Sequence, residues 1–189
     1  MTSFYTEKEL RTLGFKSIGT NVLISKKASF YGFKSIQIGN NVRIDDFCIL
    51  SGCIVLGDFI HIAAYSALYG GEEGIYISDF ANISSRVVIY ALSDDYSGQT
   101  MTNPMIPEKY KKVLSSPVYI HKHVIIGTGS TVLPGVVLSE GTAVGAMSLV
   151  KDSTKEWNIY AGIPAERKKE RKKNILDLEK EFLRDKSNE

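Results

Sequence analysis

Residues 124–153 read VIIGTGSTVLPGVVLSEGTAVGAMSLVKDS. Within them Ile126, Val132, Leu138, Val144 and Val150 recur every six positions. An amphipathic helix would instead place its apolar residues at i, i+3, i+4 and i+7. The same period extends outward toward the N-terminus through Ile18, Ile24, Phe30, then Ile38, Ile44, Leu50, then Leu56, Ile62, Leu68, then Ile77, Ile83, Ile89. After a gap it resumes at Ile120. Three hexads make a unit, and units open at residues 18, 38, 56, 77, 120 and 138, so the excess over eighteen residues is two, none, three, twenty-five and none.

The residue after each anchor is often glycine or small (Gly19, Gly39, Gly57, Ala63, Ser84, Gly127, Gly145), as a chain corner requires. The fifth place of the hexad is small or aliphatic, and Cys48 falls there, so its thiol reads as core packing. This pattern predicts an all-β solenoid of short strands joined at corners, three strands to a triangular coil. Six coils stacked at the strand spacing of about 4.8 Å make a prism roughly 29 Å tall, with backbone hydrogen bonds running between coils. The repeat domain spans residues 18–155 and carries an inserted loop at 91–116. Residues 1–17 form an N-terminal helical cap, with Thr6 and Glu9 as a capping box, Leu10 and Leu13 as its apolar side and Gly14 as its stop. Residues 156–189 read as a charged helical tail in which a basic run, Arg167 to Lys173, leads into Ile175, Leu178 and Phe182 at helical spacing.

The 189 residues are 43% hydrophobic and 23% charged, with 23 Lys+Arg against 21 Asp+Glu, which suits one globular domain and argues against disorder and against a nucleic-acid partner. Two cysteines are too few for a disulfide framework and fit a reducing, cytoplasmic setting. Glu7, Lys8 and Glu9 stand where a signal peptide needs an apolar core, and the most apolar stretch, Phe47 to Leu68, is interrupted by Gly52, Asp58 and His61, so membrane insertion is not expected.

The Ile-Gly-x-x-Val hexads, the 124–153 stretch and YAGIPAERK at 160–168 resemble the hexapeptide-repeat acyltransferases, in the branch of galactoside, maltose and nucleotide-sugar acetyltransferases. The resemblance implies a left-handed parallel β-helix, a homotrimer with sites between subunits, acetyl-CoA as co-substrate, no required metal, and transfer of an acetyl group to a sugar hydroxyl. The sugar would be polysaccharide, galactoside-like or nucleotide-linked. It also implies that Ala146 and Ser148 lie where the backbone meets pantetheine, and that Lys151 and Arg167 lie near the CoA phosphates. Gly127 and Gly129 suit close approach of the pantetheine arm. An independent reason to expect a partner copy is that Ile49, Val88, Ile125 and Leu149 occupy outward places in their hexads.

The family's loop histidine, the base that deprotonates an acceptor hydroxyl, is replaced here by Asp94, next to Asp95, and either carboxylate is a catalytic candidate, as a base raised by burial or as the group that orients a histidine. An aspartate starts roughly 2.6 pKa units weaker than histidine as a base. An amine acceptor needs less help, since an α-amino-like group of pKa about 8 is already roughly one-tenth neutral at pH 7. N-acetylation of a nucleotide-linked amino sugar is therefore the alternative, and a non-catalytic scaffold subunit a second one. His61 and Asn82 occupy the same outward place on adjacent coils, so a His61, Asn82, Asp94 cluster with His61 as base is one expectation. An interface hydrogen bond for His61 is the other. His121 and His123 read as surface residues.

Overall fold

The computed structural model describes residues 3–186, leaving residues 1–2 of the expected cap and 187–189 of the expected tail outside the described residues. Its strands stack as a parallel solenoid of about seven turns. The anchors meet in register on each of three faces. On the first, Ile18 pairs with Ile38, then Leu56, Ile77, Ile120 and Leu138. On the second, Ile24 pairs with Ile44, then Ile62, Ile83, Ile126 and Val144. On the third, Phe30 pairs with Leu50, then Leu68, Ile89, Val132 and Val150. All of these except Ile18 and Phe30, near the N-terminal end, are buried, so the hexad period is the period of the core. Cys48 is fully buried as expected, and burial pushes its thiol up to about 11.

The stacking leaves little room at the corners. A Cβ on Gly127 would stand 2.5 Å from the Ala146 nitrogen on the next coil. The N-terminal helix α1 (Glu7–Thr12) starts with the expected capping box, Thr6 N–H donating to Glu9 Oε2 at 2.7 Å and Glu9 N–H to Thr6 Oγ1 at 3.3 Å. Its Leu10 is buried against the core.

The sequence reading of the C-terminal region needs two corrections. Asn158–Ala161, counted in the tail, is a further rung on the second face, with Ile159 and Tyr160 paired to Ala143 and Val144. The first part of the basic run is also not helical: Glu166–Glu170 is a strand running antiparallel to that rung. A uniformly charged pentapeptide carries no burial period, and the exposed sheet edge fixes its conformation instead. Helix α2 (Ile175–Lys186) begins after it and folds back along the prism. Among the described residues no helix is long and apolar enough to cross a membrane.

The inserted loop is ordered. Leu92–Ser93 pairs antiparallel with Leu114–Ser115, and Ser116 N–H donates to Ala91 O at 2.9 Å, closing the excursion at its base.

Candidate active site

A cavity of about 1020 Å³ lies between the inserted loop and the third face. The face contributes Tyr69 and Tyr90, paired in register on adjacent coils and stacked with ring centroids 5.2 Å apart and planes 15° apart. Leu133 and Leu149 supply apolar wall from the later coils, and the loop adds Asp94 and Lys111. Among the described lining residues these are its one carboxylate and its one ammonium.

The two neighbouring aspartates separate in role. Asp95 accepts hydrogen bonds from Ser97 N–H at 2.8 Å and from Thr100 N–H and Oγ1–H at 3.0 and 2.9 Å. The bonds from Ser97 and Thr100 lower its pKa to about 2. This carboxylate organises the loop and is a poor proton acceptor. Asp94 has no such network among the described residues: its backbone oxygen accepts from Ser93 Oγ at 3.1 Å, while its carboxylate is exposed and lines the cavity.

His61 and Asn82 do stack, in register on the second face, but they line a different cavity of about 380 Å³, roofed by α2. A single chain therefore does not assemble His61, Asn82 and Asp94: the loop departs from the third face, and His61 points from the second. The partner of His61 is Asp45, whose Oδ2 lies 2.8 Å from Nε2, while Arg43 Nε donates to Oδ1 at 2.7 Å. Burial works to raise the Asp45 pKa, but hydrogen bonds from His61 and Arg43 outweigh it and hold the carboxyl below its ordinary range. Asp45 was missed in the sequence because it follows an anchor, Ile44, where a small corner residue is the rule.

His123 corrects the expectation of a surface residue. It is 3% exposed, in the left-handed region at φ 59°, and stacks 5.4 Å from Phe80, which itself stacks 4.8 Å from Phe59. Its Nε2 lies 2.7 Å from Glu179 Oε2 on α2, whose other oxygen accepts from Lys122 at 2.5 Å. His121 is exposed, as expected.

The residues matched to the CoA groove lie on the later coils. Gly127, Gly129 and Ala146 sit at the corner between the second and third faces, where Ala146 is exposed. The Ser148 side chain is turned into the stack, donating to Gly145 O at 2.8 Å and accepting from Gly162 N–H at 3.1 Å, so only its backbone could meet a ligand. Lys151 follows Val150 on the third face, exposed and 3.0 Å from Asp152. Arg167 belongs to the antiparallel edge strand, where Nε donates to Asn158 Oδ1 at 2.5 Å. Among the described residues no three His, Cys, Asp or Glu side chains converge as a metal site would need.

No protein-family model matches the chain. Over 183 residues, 95% of each sequence, it is 52% identical to a dTDP-4-amino-4,6-dideoxy-D-glucose acyltransferase of Escherichia coli. Over 146 residues, 69% of each, it is 32% identical to WbbJ of Escherichia coli strain K12, provisionally named a lipopolysaccharide biosynthesis O-acetyl transferase. Among solved structures, AntD, an N-acyltransferase from Bacillus cereus in complex with dTDP and 3-hydroxybutyryl-CoA, is 57% identical and superposes with a TM-score of 0.97, covering 99% of this chain and 100% of its own. An AntD S84C variant has been solved with dTDP-4-amino-4,6-dideoxyglucose and coenzyme A, and a D94A variant with dTDP and coenzyme A.

Proposed function

The chain belongs to the hexapeptide-repeat sugar acyltransferases, and from that membership we propose that it transfers an acetyl group from acetyl-CoA to the amino group of a nucleotide-linked amino sugar. The observation that carries this reading is Asp94, whose carboxylate has no hydrogen-bond partner among the described residues and lines the loop cavity, where the hydroxyl-acylating branch has its histidine. A carboxylate attracts the ammonium form of the acceptor, and the roughly one-tenth that has lost its proton to water at pH 7 is the nucleophile. The neutral amine then attacks the thioester carbonyl directly, a C–N bond forms, the C–S bond breaks, and one N–H proton ends on the sulfur of free CoA. The likeness to AntD supports the same residue, since this chain also has Ser84 and Asp94 at those numbers and aligns with AntD over nearly its whole length.

Gly127, Gly129 and the backbone of Ala146 and Ser148 would carry the pantetheine arm, with Lys151 and Arg167 toward the CoA phosphates. A homotrimer would complete the groove, bringing the glycine corner of one subunit to the loop of its neighbour. The half-buried outward Ile49, Val88, Ile125 and Leu149 support a shared surface.

Transfer to a sugar hydroxyl is the second reading, favoured by the WbbJ likeness and by the His61–Asp45 pair, whose 2.8 Å hydrogen bond would orient an imidazole base. Free-thiol release and product mass, measured with acetyl-CoA and either dTDP-4-amino-4,6-dideoxyglucose or its 4-hydroxy counterpart, separate the two. Turnover on the amine and none on the hydroxyl is expected; the reverse pattern overturns the amine reading.

A further inference from the structure

Met147 stands at the glycine corner with a side chain that neither the fold nor the transfer chemistry accounts for. It is 66% exposed, and its backbone lies in the left-handed region at φ 54°, a conformation that costs a residue with a Cβ more than it costs glycine. On the preceding coil the same place is held by Gly129, at φ 71°. The Met147 side chain lies back over that glycine: a Cβ added to Gly129 would collide with Sδ and stand 3.7 and 3.8 Å from Cγ and Cε. The room above Gly129 is thus filled by a thioether, an unbranched and polarizable group that repacks readily. A pantetheine arm passing this corner displaces the thioether, which can then pack along the arm's apolar stretch. A methionine this exposed is also open to oxidation, which turns an apolar, flexible side chain into a polar one.

We propose that Met147 is a redox modification site, whose oxidation to the sulfoxide by a peroxide closes the glycine corner to coenzyme A. The sulfur attacks one peroxide oxygen: an S–O bond forms, the O–O bond breaks, and the other oxygen leaves as water. Sulfur loses two electrons and the peroxide gains them. Set against apolar methylenes, the sulfoxide oxygen would forfeit its hydrogen bonds to water. Closure of the corner rests on the placement of pantetheine at Gly127 and Gly129 given above; the chemistry at sulfur does not.

The test is to treat the full-length protein with hydrogen peroxide, quantify the sulfoxide at each methionine by peptide mass spectrometry, and measure CoA affinity by calorimetry. Met105, 88% exposed on the inserted loop, is the reference for free access. CoA at about ten times its Kd should slow oxidation of Met147 about tenfold, since only the unoccupied corner reacts, and leave Met105 unchanged. Oxidation of Met147 should weaken CoA about fourfold or more, the effect of losing one methylene's worth of apolar contact. Methionine sulfoxide reductase should restore the affinity, whereas dithiothreitol, which reverses oxidation at a cysteine such as Cys53, should not. Met147→Leu should bind CoA equally before and after peroxide, and Met147→Gln should bind it as weakly as the oxidised protein. Equal CoA affinity with and without the Met147 sulfoxide overturns the proposal, as does a peroxide-induced loss that persists in Met147→Leu. The placement of CoA fails separately: if CoA binds but does not slow oxidation of Met147, pantetheine lies elsewhere and closure of the corner falls with it. Protection by CoA with no loss of affinity on oxidation keeps the placement and removes the redox control. A wild-type protein that binds no CoA removes both.

Discussion

Asp94 and Asp95 are adjacent in the chain and unlike in chemistry, and the difference sets two expected outcomes. Asp94→Asn removes the charge that attracts an ammonium but keeps the shape, so the acceptor KM should rise tenfold or more while CoA affinity stays near wild type; steady-state kinetics with calorimetry checks this. If KM stays unchanged, Asp94 does not touch the acceptor. Asp95 should reveal itself through acid. Its folded pKa of about 2 lies below the ordinary value near 3.9, so its stabilisation of the loop is complete above about pH 4 and lost as pH falls through about 2. Hydrogen exchange at Ser97 and Thr100, measured from pH 5 downward, should show that loss, and Asp95→Asn should show weakened protection already at neutral pH. Sequence alone could not divide the two residues, because the division depends on which carboxylate the loop's N–H groups reach. Asp45 was hidden for a related reason: its distance to His61 is created by stacking between coils and is absent from local spacing.

At the scale of elements, the hexads were legible because each anchor reports the same environment, a buried place on one of three faces, repeated until chance is excluded. Gly127 tests how strictly the corners are held. In Gly127→Ala the new Cβ would meet the backbone of the next coil at 2.5 Å, and the strain should lower Tm by several degrees, given that about 1 kcal/mol corresponds to a few degrees in a domain of this size; a scan within one degree of wild type would show that the stack yields. What the sequence did not disclose lies at the C-terminus: the helical spacing of Ile175, Leu178 and Phe182 was legible, but the pairing of the charged strand with a sheet edge and the place where α2 docks have no local period. The burial of His123 follows from the same docking. Burial works to raise the Glu179 pKa, but Lys122 and His123 outweigh it, so its hold on the prism is present at neutral pH and lost as acid protonates it. Glu179→Ala should release α2, read as faster amide exchange across 175–186 with the solenoid anchors still protected. Unchanged exchange would mean that the other contacts of α2, among them Phe182 packed edge-on against Phe59 at 5.3 Å and Lys186 over the same ring, hold the helix without Glu179.

At the scale of the molecule, the prism presents apolar side chains outward and divides its candidate groups between a glycine corner and a loop cavity, an arrangement that a neighbouring copy could complete. Sedimentation at micromolar concentration should therefore find a trimer, and a monodisperse monomer that still turns over substrate would remove the shared-site reading. The way the inserted hairpin joins the solenoid carries a further consequence. The ladder passes over it without a break, Ile77 pairing with Ile120 and Ile89 with Val132, and the two ends of the excursion meet at the hydrogen bond between Ser116 and Ala91. The prism therefore registers only where the chain leaves and returns, and loop-closure entropy changes slowly with the length between. The hairpin can thus vary as a cassette, in length and in side chains, while the scaffold that bears it keeps its ladder.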